Sequence, residues 1–150
     1  MYFYIVIERG MAYNGIRISM SKKHWEGVTE KMKLAVIFGG ISSEHDISCL
    51  SAASILRNLD KSKYEIHAVG ITREGRWYYL PECDADAIES GAWESRNDLV
   101  PALLPPDRSI HGLVLLREGE TEFVRLDCVF PVLHGVGGED GTMQGVLELA

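Results

Sequence analysis

Two short stretches hold the residues whose types and spacing could do chemistry. The first is His134-Gly-Val-Gly-Gly-Glu-Asp-Gly-Thr-Met-Gln-Gly145, with glycines at 135, 137, 138 and 141. Glycine lets a backbone turn sharply and approach a ligand closely. A phosphate-cradling loop carries a Lys after its glycines, whereas this one carries Glu139 and Asp140. That composition suits a cation, an ammonium group or a hydrogen-bonded carboxyl network. The second stretch, Gly39-Gly-Ile-Ser-Ser-Glu-His-Asp-Ile-Ser48, sets Glu44, His45 and Asp46 after paired glycines. It lacks G-x-G-x-x-G, and its acids argue against pyrophosphate. A blander reading stays open on these residues alone. A Gly-rich strand-to-helix connection is common in α/β domains, His134 would then be structural, and Glu44 a solvated charge in a first helical turn.

Such residues need strands that stop at the glycines and helices that start after them. Val129 to Leu133 is an apolar run that reads as a buried strand. Met143, Val146, Leu147 and Ala150 recur at helical spacing, so a helix should start near Thr142. Its apolar face is expected to stay partly uncovered. Leu34 to Phe38 is apolar throughout, as in a strand covered on both faces. The helix after it carries Ala52, Ile55, Leu56 and Leu59 on one face and stops near Asp60; Ser43 with Asp46 has the form of a capping box. Its free N–H groups and positive dipole end favour an anion.

Tyr64 to Ile71 reads as the second strand, and Arg76 to Leu80 as a hairpin arm. Residues 81–109 hold four of the five prolines and read as a surface insertion with one short helix around Asp84 to Ser90. Leu113 to Arg117 and Glu122 to Leu126 form a hairpin across Glu118-Gly119-Glu120. Trp77, Tyr78 and Trp93 read as packing residues. The order β-α-β, insertion, β-α predicts an α/β fold with a parallel sheet flanked by helices. Ligands of such sheets sit beyond the carboxyl ends of the strands, so Glu44 and His134 should share one edge.

The chain has 150 residues and is 46% hydrophobic, enough for one domain with a core. A net charge of −7 excludes a nucleic-acid surface, which needs Lys and Arg. Cys49, Cys83 and Cys128 are widely separated, which disfavours a disulfide framework or zinc site and fits a reducing cytoplasm. No apolar run approaches the roughly 20 residues of a membrane span. Tyr2 to Ile7 is apolar, but Glu8-Arg9 ends it early and no basic segment precedes it, unlike a signal peptide. The domain is expected at 33–150, with 1–32 an extension or a mis-called start.

His134-Gly-x-x-Gly-Glu-Asp-Gly-x-Met-Gln-Gly145 resembles the N-terminal signature of the D-alanine–D-alanine ligases. Gly-Gly-x-Ser-x-Glu-His-(acidic)-(aliphatic)-Ser at 39–48 resembles the opening of the same ligases, and Gly-x-Trp at 75–77 is similar to their long-form members. The resemblance covers 33–150, about the first third of a ligase. It implies a Rossmann-like, pre-ATP-grasp N-terminal domain with a β-hairpin insertion, in a cytoplasmic enzyme of peptidoglycan synthesis. Such enzymes use ATP to phosphorylate the carboxylate of one D-alanine, and the amine of a second attacks the acyl phosphate. Carried over, Glu44 would hold the ammonium of the first D-alanine and His134 would donate to its carboxylate or acyl phosphate. Ser48 and Gly138 would line the substrate, and Glu139 would orient groups of the missing central domain.

The same resemblance assigns ATP and magnesium to ATP-grasp domains beyond this chain, leaving no cofactor or metal within it. Those domains and D-alanine are the implied partners, with a homodimer for the full-length enzyme and no activity for this chain alone. Two other readings stay open: a non-catalytic Rossmann-like module for an amino acid or nucleotide, and an inactive gene fragment. The second substrate (D-alanine, D-lactate or D-serine) is not fixed by these residues.

Overall fold

A computed structural model describes residues 30–150; the expectations on 1–29, the Tyr2 to Ile7 run among them, lie outside the described residues. The sheet is built on β1 (Met32–Gly39). Leu34, Val36 and Phe38 face one side and Ala35 and Ile37 the other, and all five are buried. This explains the unbroken apolar run. Parallel neighbours flank β1: β2 (Tyr64–Ile71) on one side and β7 (Cys128–Pro131) on the other.

Beyond β2 the sheet turns antiparallel through β3 (Trp77–Leu80), β4 (Val100–Leu103), β5 (Gly112–Arg117) and β6 (Glu120–Arg125). The full order is β6-β5-β4-β3-β2-β1-β7. The expected parallel sheet is therefore the three strands β2-β1-β7 at one end, and the antiparallel strands extend it. Short reversals such as Thr72–Arg76 leave no room for a crossover, so the added strands must run antiparallel. Strand β4 lies inside the segment read as a surface insertion. It has only four residues with Pro101 among them, too short and too atypical to show as a pattern, yet Val100 and Ala102 are buried.

Helix α1 (His45–Asn58) covers one face with Cys49, Ala52, Ala53 and Leu56. Helix α2 (Ala85–Glu89) packs beside it, and Asp84 caps α2 by accepting from the N–H groups of Asp86 and Ala87. Arg57 of α1 pairs with Asp86 and Glu89 of α2. A 3-10 helix, Ala92–Ser95, then inserts Trp93 into the same core, edge-on to Phe38 at 5.3 Å. Helix α3 (Thr142–Leu149) covers the other face. Met143 and Leu147 are buried there and Val146 is half-buried, so the expected partly uncovered face of α3 narrows to Val146. Among the described residues no helix is long and apolar enough to cross a membrane.

Candidate functional site

The carboxyl ends of β1 and β7 lie side by side, and the loops that leave them meet. Gly39 and Gly40 end β1 with φ of 87° and 99°, a region that costs glycine little. A Cβ on Gly39 would fall 2.2 Å from the Ile71 carbonyl oxygen, so the turn packs directly against the end of β2. Gly40 N–H donates to that same carbonyl at 2.8 Å.

The capping box expected of Ser43 and Asp46 does not form. Helix α1 starts at His45, with Glu44 at the capping position and no side-chain cap. Ser42 takes part instead, its Oγ accepting Glu44 N–H at 3.1 Å. Asp46 is drawn outward to the Arg73 guanidinium in the β2–β3 turn, 2.5 Å away. Its charge finds a cation there, which a capping role would not supply.

Glu44 is exposed, and its carboxylate rests against the loop after β7. A Cβ on Gly135 would lie 2.5 Å from Glu44 Oε2 and 2.5 Å from Ser42 Oγ. The two loops touch at this glycine, next to His134. The His134 ring is 19% exposed; its Nε2 is 3.3 Å from Ser51 Oγ on α1 and its Nδ1 is 4.0 Å from Glu139 Oε1. Glu44, His134 and Glu139 thus gather at one edge, across about 90 residues of sequence.

Ser48, expected to line the substrate, sits elsewhere. It is fully buried, accepting from Gly39 N–H at 2.7 Å and donating to the Val132 carbonyl at 2.5 Å. Its hydroxyl is a strut tying α1 to the ends of β1 and β7, so it offers nothing to a ligand. Gly138 is also committed to the loop. Its N–H donates to the Gly135 carbonyl at 3.1 Å, and a Cβ would strike Leu133 at 2.6 Å. Asp140 does not supply a free anion either. It accepts from Gly137 N–H at 2.9 Å and Thr142 N–H at 3.0 Å, which holds its carboxyl below the usual range.

Sequence reasoning missed Ser42, Ser51 and Glu94. Ser42 is the first serine of the Gly-Gly-x-Ser-x-Glu-His pattern and could have been named from it, whereas Ser51 shows no local signal beyond lying one turn past Ser48. Glu94 reaches His45 Nε2 at 3.1 Å from the 3-10 helix, a contact of elements about 50 residues apart that spacing cannot disclose.

What the edge can do follows from its charges. A carboxylate with a glycine backbone at its side and a partly buried imidazole beyond it can take an ammonium at one end and an anionic oxygen at the other. That is the outline of an amino acid. Helix α1 adds the positive end of its dipole beside Glu44.

The family model for the D-ala D-ala ligase N-terminus matches residues 33–150. The chain is 52% identical over 120 residues to a D-alanine–D-alanine ligase of Thermoanaerobacter sp. (strain X514), covering 80% of this chain and 33% of that protein. It is 46% identical over 120 residues to the vancomycin B-type resistance protein VanB of Enterococcus faecalis, with 80% and 33% covered. Among solved structures it superposes on the VanG D-Ala:D-Ser ligase of Enterococcus faecalis with a TM-score of 0.74 and 38% identity, over 81% of this chain and 34% of that one. The chain spans about a third of the length of these relatives. With the fold, both glycine-rich loops and the matched residues in agreement, the chain belongs to the D-ala D-ala ligase N-terminus family.

Proposed function

We propose that this chain is the part of an ATP-dependent D-alanine–D-alanine ligase that holds the first D-alanine. The observation that supports the reading is the contact at Gly135, which brings the Glu44 carboxylate to the residue that follows His134. Glu44 takes the substrate ammonium as a charge-assisted hydrogen bond. His134, steadied by Ser51, donates to the substrate carboxylate or to the acyl phosphate formed from it. Glu139 orients groups brought by the rest of the ligase. Holding the amino acid at both ends contributes orientation rather than proton transfer. The N-terminus of α1 favours the negative charge that builds on the transferring group.

The residues described here do not fit ATP or magnesium. No group of three His, Cys, Asp or Glu could hold a metal among the described residues, and neither glycine-rich loop carries a Lys after its glycines. In the proposed enzyme both belong to segments that the relatives have and this chain does not span.

Steady-state kinetics of Glu44→Gln in the full-length ligase test the reading. Losing a hydrogen bond to a charged group costs about 1.5–3 kcal/mol, so the KM for the first D-alanine should rise by about tenfold or more while that for ATP stays put. Equal weakening of both substrates would reduce Glu44 to a structural role.

A further inference from the structure

His45 is 1% exposed although it directly follows the exposed Glu44. Its Nδ1 is 2.8 Å from the Gly40 carbonyl oxygen and its Nε2 is 3.1 Å from Glu94 Oε1. The ring lies parallel to Trp93, with centroids 6.3 Å apart and planes 12° from each other. A Cβ on Gly39 would come within 3.0 Å of His45 Cε1. The imidazole is therefore a crossbar, with one end on the glycine turn and the other on the 3-10 helix of the insertion.

Both partners of the ring are acceptors. A carbonyl oxygen has no proton to give, and an ionised carboxylate has none either. A ring that donates at both nitrogens satisfies the two contacts, whereas a ring with one bare nitrogen would set a lone pair against an oxygen. Glu94 has few rivals for its attention. Arg96, which shares its cavity wall, is held by Asp98 at 2.8 and 2.5 Å. The other charges near this cluster are Asp46 and Arg73, already paired with each other, and the exposed Glu74 and Arg76.

The chain of contacts ends at the substrate loop. Glu94 orients His45, His45 holds the Gly40 carbonyl, and the Gly40–Glu44 turn sets where the Glu44 carboxylate meets Gly135. We propose that Glu94 is a positioning residue for the site: the insertion between β3 and β4 clamps the ammonium-holding loop through His45. The proposal rests on the reading of Glu44 given above.

Two measurements test it separately from that reading. In the 150-residue chain, the imidazole resonances of His45, assigned with His45→Gln, should shift in Glu94→Ala together with the amide resonances of Gly40 and Glu44. In Glu94→Gln, whose side chain can still reach Nε2, the amides of Gly40 and Glu44 should keep their places. Unshifted Gly40 and Glu44 amides in Glu94→Ala would overturn the crossbar.

In the full-length ligase, Glu94→Ala should raise the KM for the first D-alanine by about tenfold, the scale of a lost hydrogen bond to a charged group. The KM for ATP should be unchanged, and Glu94→Gln should recover most of the loss. A uniform fall in kcat with both KM values unmoved would mean a merely structural role. Glu44→Gln is the control. If it raises the first-site KM and Glu94→Ala does not, the clamp is wrong. If neither substitution moves that KM while Glu94→Ala shifts the Gly40 amide, the reading of Glu44 is wrong and the crossbar remains as a structural joint.

Discussion

Gly135 joins the halves of the site, and its hydrogen cannot be replaced without moving Glu44 or Ser42. Gly135→Ala would place a methyl group 2.5 Å from both oxygens in a backbone of φ 66°. In the full-length ligase it should weaken first-site binding as Glu44→Gln does, and in this chain it should shift the amide resonances of Ser42 and Glu44; unshifted resonances would disprove the contact. Cys49 offers a second residue-level check. Burial pushes its thiol up to about 11, against an ordinary value near 8.5, and the thiolate is the reactive form. Iodoacetamide near pH 8 should leave Cys49 unmodified in the folded chain and alkylate it in urea. Rapid labelling of folded protein would show that the helix opens there. Asp140 supplies a pH dependence. Its carboxyl is held low by backbone N–H groups, so its contribution is present above the ordinary carboxylate range near 3.9 and is lost as pH falls through its lowered folded value. Amide exchange at Gly137 and Thr142, compared with that of a distant helix at each pH, should quicken selectively only in that acid window.

At the scale of elements, the insertion is joined to the sheet by strand β4 and, at its 3-10 helix, by one ring over one glycine. Trp93 is fully buried, and a Cβ on Gly70 would fall 2.5 Å from its Cζ3 atom. An indole in a packed core has nowhere to retreat. Gly70→Ala should cost about 1–3 kcal/mol by overpacking, measured by urea unfolding, and should disturb His45 through the stacked ring. A neutral result would mean that the insertion yields freely. This packing also shows why strand β4 is not legible in the sequence of the segment. Prolines and acids mark 81–109 as surface, and most of it is, but Ile88, Trp93, Val100 and Ala102 are buried. Four inward residues dispersed through an irregular segment make no period to detect.

At the scale of the whole molecule, the chain is a two-faced sheet with a core on each side, α1 and α2 closing one and α3 the other. Both cores close within residues 30–150, so the domain should unfold in a single cooperative transition. A probe on Trp93 and a probe on α3 should report coincident urea midpoints; separate midpoints would show the faces to be independent. The site is otherwise one exposed wall. Glu44 is solvated here, and an exposed ion pair is worth only about 0–1 kcal/mol, so D-alanine should bind this chain very weakly. The purified chain should form no dipeptide and turn over no ATP. Mixed with a separately produced remainder of the ligase, it should support ATP-dependent dipeptide formation; synthesis by the chain alone would overturn the assignment of the ATP chemistry elsewhere.

The periodic elements were determined locally and could be read from the residues. The apolar runs of β1 and β2, the helical spacing of α3 and the glycine turns after β1 and β7 each carry their signal within a few neighbours. Glu44 and His134 could be placed on one edge because a strand that ends in glycine delivers the next residues there. Only the tertiary structure decided which groups near that edge remain free. Ser48 and Asp140 are alike as polar side chains near the glycines, yet one is a buried strut between Gly39 N–H and the distant Val132 carbonyl and the other caps its own loop, because those backbone groups needed partners. Glu94 looked like one more surface acid and proved to face His45. Hydrogen-bond satisfaction in a folded chain is settled between residues far apart in sequence, and spacing holds no record of it.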